Sequence, residues 1–145
     1  MPQTDTRAKL QGLVDQFVAT IGYSQAPDYH PLVVSLPYCP YDDLEGRLSY
    51  PDPNEPGCYV FTSGNGTPLY VGKASRYLGN RIWSHIGRRP KSGETEAYPD
   101  AEKFVKDNQP DIAVWAIAVP DAHWWLAPAL EGFLTEKLRP TIPRP

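Results

Sequence analysis

Apolar positions along the chain switch between two periods. Leu10, Leu13, Val14, Phe17, Val18 and Ile21 form one stripe at helical spacing. Gly22 is a stop signal, and the polar residues 1–6 are expected to fray ahead of the helix. The stripe predicts a helix packed on the core of the same domain, with a partner-binding helix as the alternative. From Ala26 to Pro56 the pattern is broken by seven prolines, Pro27, Pro31, Pro37, Pro40, Pro51, Pro53 and Pro56. There Leu32 to Leu36 is short enough for an edge strand, and the rest reads as ordered coil laid over the core. Its Tyr38, Tyr41 and Tyr50 read as packing residues, with base stacking as the alternative.

The pattern then turns to period two. Gly57-Cys58-Tyr59-Val60-Phe61 and Leu69-Tyr70-Val71-Gly72-Lys73 flank Ser63-Gly64-Asn65-Gly66. Asn-Gly between apolar, β-branched and aromatic runs is a strong hairpin signal. Alternation puts Cys58 and Val60 on one face with Tyr59 on the other, and Leu69 and Val71 on one face with Tyr70 and Gly72 on the other. The two tyrosines are expected to share a face, each beside a glycine. A helix follows from about Tyr77 to Ile86, with Leu78, Ile82 and Ile86 as its apolar ladder and Arg81 and His85 beside it. Gly87 to Pro99 reads as loop, and Glu102 to Lys106 as a helical turn or two. Ile112 to Val119 is apolar throughout, which predicts a central strand covered on both faces. The last helix lies between Asp121 and Leu138, with Leu126, Leu130, Leu134 and Leu138 in a ladder and Pro128 either starting or kinking it.

Composition narrows the classes. A chain of 145 residues with 41% hydrophobic residues, four Trp and nine Tyr supports one packed domain, with or without an appendage; 17 prolines argue against a helical bundle. Cys39 and Cys58 form no CxxC and, with His30, His85 and His123, assemble no zinc set at usual spacings. No apolar run reaches the ~18 residues of a membrane span and no signal peptide is present, so a cytoplasmic location with no membrane partner is expected. The net charge of −3 excludes indiscriminate coating of nucleic acid. Its distribution points elsewhere. From Pro56 to Gly93 there is no Asp or Glu, while Lys73, Arg76, Arg81, Arg88, Arg89 and Lys91 all fall in that stretch. Of these, Lys73, Arg76, Arg88, Arg89 and Lys91 are the candidate nucleic-acid-binding residues.

Tyr59, Tyr70, Lys73, Arg81, His85 and Glu131 are residue types suited to phosphodiester hydrolysis. Arg and Lys donate charge-assisted bonds to phosphate oxygens. One carboxylate, Glu131, can hold a single Mg²⁺ (or Mn²⁺), because Mg²⁺ keeps most of its waters. A tyrosine is a poor base at neutral pH, but positive charge beside it favours the phenolate.

The order Gly57-Cys58-Tyr59, Tyr70-Val71-Gly72, Lys73, Arg81, His85 and then Ala129-Leu130-Glu131-Gly132-Phe133-Leu134 resembles the GIY-YIG nuclease family, from about Pro56 to Ile142. The resemblance implies an α+β fold, a three-stranded antiparallel central sheet flanked by helices, and metal-dependent DNA endonuclease activity with one divalent ion. It matches Tyr59 to the tyrosine often assigned as general base and Tyr70 to the one that orders the attacking water or phosphate. Arg81 matches the phosphate-clamping arginine, His85 a position often His or Tyr, and Glu131 the metal ligand. Lys73 follows the second motif as in a subset of members. Three departures stand out: Cys58 for an aliphatic residue, Val71 for isoleucine, and Pro143 where the family often has asparagine.

The chain thus divides into an N-terminal helix and Pro/Tyr-rich extension, 1–55, packed on a nuclease-like domain, 56–145. The leading expectation is an endonuclease of repair, restriction or mobile-element type. A nuclease toxin or effector, or a non-catalytic nucleic-acid binder on the same fold, are the alternatives. The N-terminal extension is the candidate surface for a protein partner, and the oligomeric state stays open.

Overall fold

The computed structural model describes residues 2–39, 50–86, 88–91, 94–97 and 112–141, with side chains at 5–39, 50–82 and 112–141. Helix α1 spans Pro2–Ile21. It begins within the stretch expected to fray, with proline in the first turn, where its missing N–H leaves no bond unmade. Strands β1 (Gly57–Thr62) and β2 (Pro68–Ala74) form the hairpin, and α2 (Leu78–Ile86) follows. A two-stranded ribbon, β3 (Arg88–Lys91) with β4 (Glu94–Ala97), comes next. Strand β5 (Ala113–Ala118) and helix α3 (Leu126–Leu138) complete the order.

The sheet is three-stranded and antiparallel, in the order β2-β1-β5. Cys58, Val60, Val71, Ala113, Trp115 and Ile117 face a core built with α1 and α3. Tyr59, Phe61, Tyr70, Val114 and Ala116 face a second core with Leu78 and Ile82 of α2. Helices on both faces bury β1 along its whole length. Each fully buried Val, Leu, Ile or Phe contributes about 1.5–3 kcal/mol relative to exposure, so removing either helix layer would leave the sheet without half of its core.

The apolar stripe of α1 is spent inside the fold. Leu10, Val14, Phe17 and Val18 are buried, and Phe17 meets Phe133 of α3 with ring centroids 5.5 Å apart. Of the stripe, Ile21 is exposed. The polar side of α1 holds the proline-rich segment. Arg7 donates to the Val34 carbonyl through Nε at 3.0 Å and Nη2 at 2.8 Å, while Gln11 donates to Leu32 O and accepts from Val34 N.

Five expectations are corrected. The central strand is β1, not the Ile112–Val119 run. A continuous apolar run reports cover on both faces, and β5 has that cover at the sheet margin. Its outer edge is closed by isolated bridges from Val34 and Tyr38, so Leu32 to Leu36 forms no regular strand of its own. The expected loop from Gly87 to Pro99 contains the β3–β4 ribbon, whose register sets Arg89 opposite Glu96 and Lys91 opposite Glu94. Positions of opposite charge replace the apolar alternation that normally marks a strand. Leu69 joins the Tyr70 side of the sheet, because a bulge at Phe61/Thr62 interrupts the alternation. Pro128 neither starts nor kinks α3. It is the third residue, within the first turn, where no intrahelical N–H is needed. Tyr41 and the turn at Glu102–Lys106 lie outside the described residues.

Candidate active site

The hairpin is set by its turn and by two glycines. Gly66 N–H bonds Ser63 O at 2.9 Å and Ser63 N–H bonds Thr67 O at 3.0 Å, with Gly66 at φ 86°. Asn65 Oδ1 accepts from Ser63 Oγ and from Thr67 N and Oγ1. This is a turn closed by a left-handed glycine, which pins the register of β1 against β2. In that register Tyr59 lies opposite Gly72. A Cβ at position 72 would fall into the Tyr59 ring, and a Cβ at position 57 would strike the Ile117 carbonyl. Both glycines are therefore demanded by close approach. Gly72 lets the Tyr59 ring lie across β2, where it stacks beside Tyr70 with centroids 6.2 Å apart.

Both tyrosines border a cavity of about 1150 Å³. Lys73 reaches it from β2, Arg76 from the segment after β2, and Arg81 from α2; Glu131 reaches it from α3. The distant carboxylate thus shares one cleft with the phenols and the guanidinium. Glu131 is 6% exposed, and the Thr135 hydroxyl donates to its carbonyl oxygen at 2.7 Å. The start of α2 is fixed by the proline-rich segment: Leu78 N–H bonds Glu55 O and Gly79 N–H bonds Pro53 O, at 2.8 and 3.0 Å. That segment therefore holds the helix that delivers Arg81.

The electrostatics of the cleft weigh most on Tyr59. Tyr59 is fully buried, and burial, with Tyr70 adding, pushes its hydroxyl well above the ordinary tyrosine value. Arg81 opposes the shift through its charge and a hydrogen bond to Tyr59, while the Glu131 carboxylate raises it further. Desolvation exceeds the pull of Arg81 on the phenol. Cys58 is also buried. Burial and then Glu131 push its thiol far up, against Lys73, and Sγ donates to the Ala127 carbonyl at 3.1 Å. It is a core residue and no nucleophile.

Among the described residues, no three of His, Cys, Asp and Glu cluster as a metal site. A zinc centre normally needs such a set. A single, nearly buried carboxylate on an open, water-accessible cavity instead suits a hard divalent ion that retains its waters and takes few protein ligands. Glu131 fits that role.

Sequence reasoning also missed residues. Tyr77, Asn80, Thr135, Arg139 and Pro140 line the same cavity, and none belongs to a motif triplet. His85 is carried by α2 and Arg88, Arg89 and Lys91 by β3, but their side chains lie outside the described residues, as does Pro143. Tyr38 and Tyr50 pack on each other edge-to-face at 4.9 Å, and Tyr38 is buried. No helix of the described residues is long and apolar enough to cross a membrane.

No family model matches the chain. Among solved structures it is similar to a point mutant of the GIY-YIG N-terminal endonuclease domain of UvrC from Thermotoga maritima, bound to its catalytic divalent cation. That match has a TM-score of 0.42 and 23% identity and covers 65% of this chain and 88% of the other. Among curated proteins the chain is similar to the UvrABC system protein C of Petrotoga mobilis, 37% identical over 51 residues, which is 35% of this chain and 9% of that protein.

Proposed function

We propose that this protein is a GIY-YIG-type endonuclease that hydrolyses phosphodiester bonds in DNA with one divalent ion, Mg²⁺ or Mn²⁺. The observation that carries the reading is the convergence of Tyr59, Tyr70, Lys73, Arg81 and Glu131, from four elements, on one cavity. The motif order and the similarity to UvrABC system protein C support it.

Each side chain then has a task. Arg81 and Lys73 bind the phosphate oxygens as charge-assisted donors and oppose the negative charge that builds in the transition state. Arg81 also orients Tyr59 through their hydrogen bond. Tyr59 and Tyr70, side by side, position the attacking water and the scissile phosphate. Tyr59 holds its proton as a donor fixed in place, and a cation held at Glu131 would favour its ionisation. Glu131 would hold the cation, which when bound neutralises phosphate charge and favours ionisation of groups beside it. His85 is assigned to the leaving oxygen, and the basic residues Arg76, Arg88, Arg89 and Lys91 to the flanking backbone.

A plasmid-nicking assay tests the proposal, with and without Mg²⁺, on the parent, Glu131→Ala and Tyr59→Phe. The parent should nick only with the ion. Glu131→Ala should bind DNA and leave it intact. Metal-dependent cutting by Glu131→Ala would remove the ligand assignment, and DNA binding without cutting by the parent would leave a binding module.

A further inference from the structure

The charge lining the cavity is lopsided. Four cationic residues border it, Lys73, Arg76, Arg81 and Arg139, against one carboxylate, Glu131, among the described residues. Lys73 and Arg81 belong to the motif set and Arg76 lies between them in the sequence. Arg139 belongs to no motif and arrives from the far end of the chain, at the C-terminus of α3.

Its backbone is unusual. Arg139 closes α3 in the left-handed conformation, φ 48° and ψ 63°, with its N–H on the Thr135 carbonyl at 3.0 Å. This is the helix-end position where glycine is most favoured, because an L side chain crowds its own carbonyl there. The side chain does not offset that penalty locally. It is 83% exposed, and its ion pair with Glu136 is a long 4.0 Å contact between two exposed groups, worth little in water. A strained backbone holding a charged side chain at the mouth of a cationic cavity marks a functional position.

We infer that Arg139 is a substrate-binding residue that grips a DNA backbone phosphate next to the scissile one, with the left-handed helix end aiming its side chain at the cavity. The inference rests on the nuclease reading and extends it. Lys73 and Arg81 meet the scissile phosphate, Arg76 the backbone on the β2–α2 side, and Arg139 the phosphate on the α3 side. Because Glu131 and Arg139 sit on the same helix, the grip and the carboxylate keep a fixed spacing along the strand.

The test is binding of a short labelled duplex to the full chain in EDTA, followed by anisotropy from about 50 to 200 mM salt. Arg139→Gly removes the charge and relaxes the backbone, Arg139→Gln removes the charge alone, and Arg139→Lys keeps it. Arg139→Gly and Arg139→Gln should both weaken binding several-fold and lower the slope of log K against log salt by about 0.9, one duplex phosphate contact. Arg139→Lys should restore most of the slope. Arg139→Gly should also melt at or above the parent's temperature, which separates the lost contact from lost folding. An unchanged slope in Arg139→Gln, with the parent binding normally, overturns the inference and leaves the nuclease reading standing. A parent that binds no DNA at any salt overturns both.

Discussion

At the scale of single residues, the fit of Tyr59 over Gly72 controls the site. Gly72→Ala forces the Tyr59 ring off β2, which should cost about 1–3 kcal/mol of stability, the usual range for overpacking. Urea denaturation measures the stability loss, and nicking should fall with it. Tyr59→Phe keeps the ring and removes the hydroxyl that Arg81 binds. It should retain the parent's melting temperature within a few degrees while nicking falls about 100-fold or more, the scale of a lost proton-handling group. The raised proton affinity of Tyr59 has a signed consequence. The folded state holds this proton beyond the ordinary value of 10.0, so its contribution is fully present below that pH. It is lost as pH rises from there toward the folded value. Alkaline melts should show the parent losing stability above about pH 10 more steeply than Tyr59→Phe. The two tyrosines, their glycines and Arg81 were legible in the sequence because hairpin alternation and helical spacing both report side-chain direction. The protonation state was not. It depends on how completely α2 and the Tyr70 ring exclude water, and no local pattern encodes that.

At the scale of elements, the proline-rich segment and α1 do more than cover the core. Tyr23, just after α1, hydrogen-bonds His123 Nδ1 at 2.7 Å, and His123 Nε2 meets Asp28 Oδ2 at 2.6 Å. This chain of three side chains ties the N-terminal segment to the short turn Asp121–His123 ahead of α3. The bond to His123, then a backbone hydrogen bond, hold the Asp28 carboxyl below its ordinary 3.8. Its stabilisation is present above that value and is lost as pH falls through the lower folded value. Thermal melts taken toward about pH 3 should therefore show a shallower acid-side loss for Asp28→Asn than for the parent. The tie was illegible beforehand because its partners lie about a hundred residues apart and each residue alone looks ordinary. The β3–β4 ribbon was missed for the opposite reason. Its signal is local, but it lies in the pairing of Arg89 with Glu96 and Lys91 with Glu94 and not in an apolar alternation.

At the scale of the whole molecule, an acidic protein concentrates cations on one cavity. That separation explains how a chain of net charge −3 could engage a polyanion at a single place while its remaining surface repels it. An ion bound at Glu131 in the folded state alone should stabilise the fold by mass action. Mn²⁺ or Mg²⁺ should raise the melting temperature of the parent, Glu131→Gln should abolish the rise, and EDTA should reverse it. The opposite face of α3 carries a different consequence. Phe133 lies two positions beyond Glu131 on that helix, and the ring of Phe17 is wedged behind it. Phe17→Ala should lose about 3–5 kcal/mol in urea denaturation, as buried phenylalanines do. A gentler change, Phe17→Leu, leaves the protein folded with its backstop shortened. Helix α3 is thus braced behind Glu131 by a strut from the other end of the polypeptide, and thinning that strut should weaken the proposed nicking in the plasmid assay before the fold itself gives way.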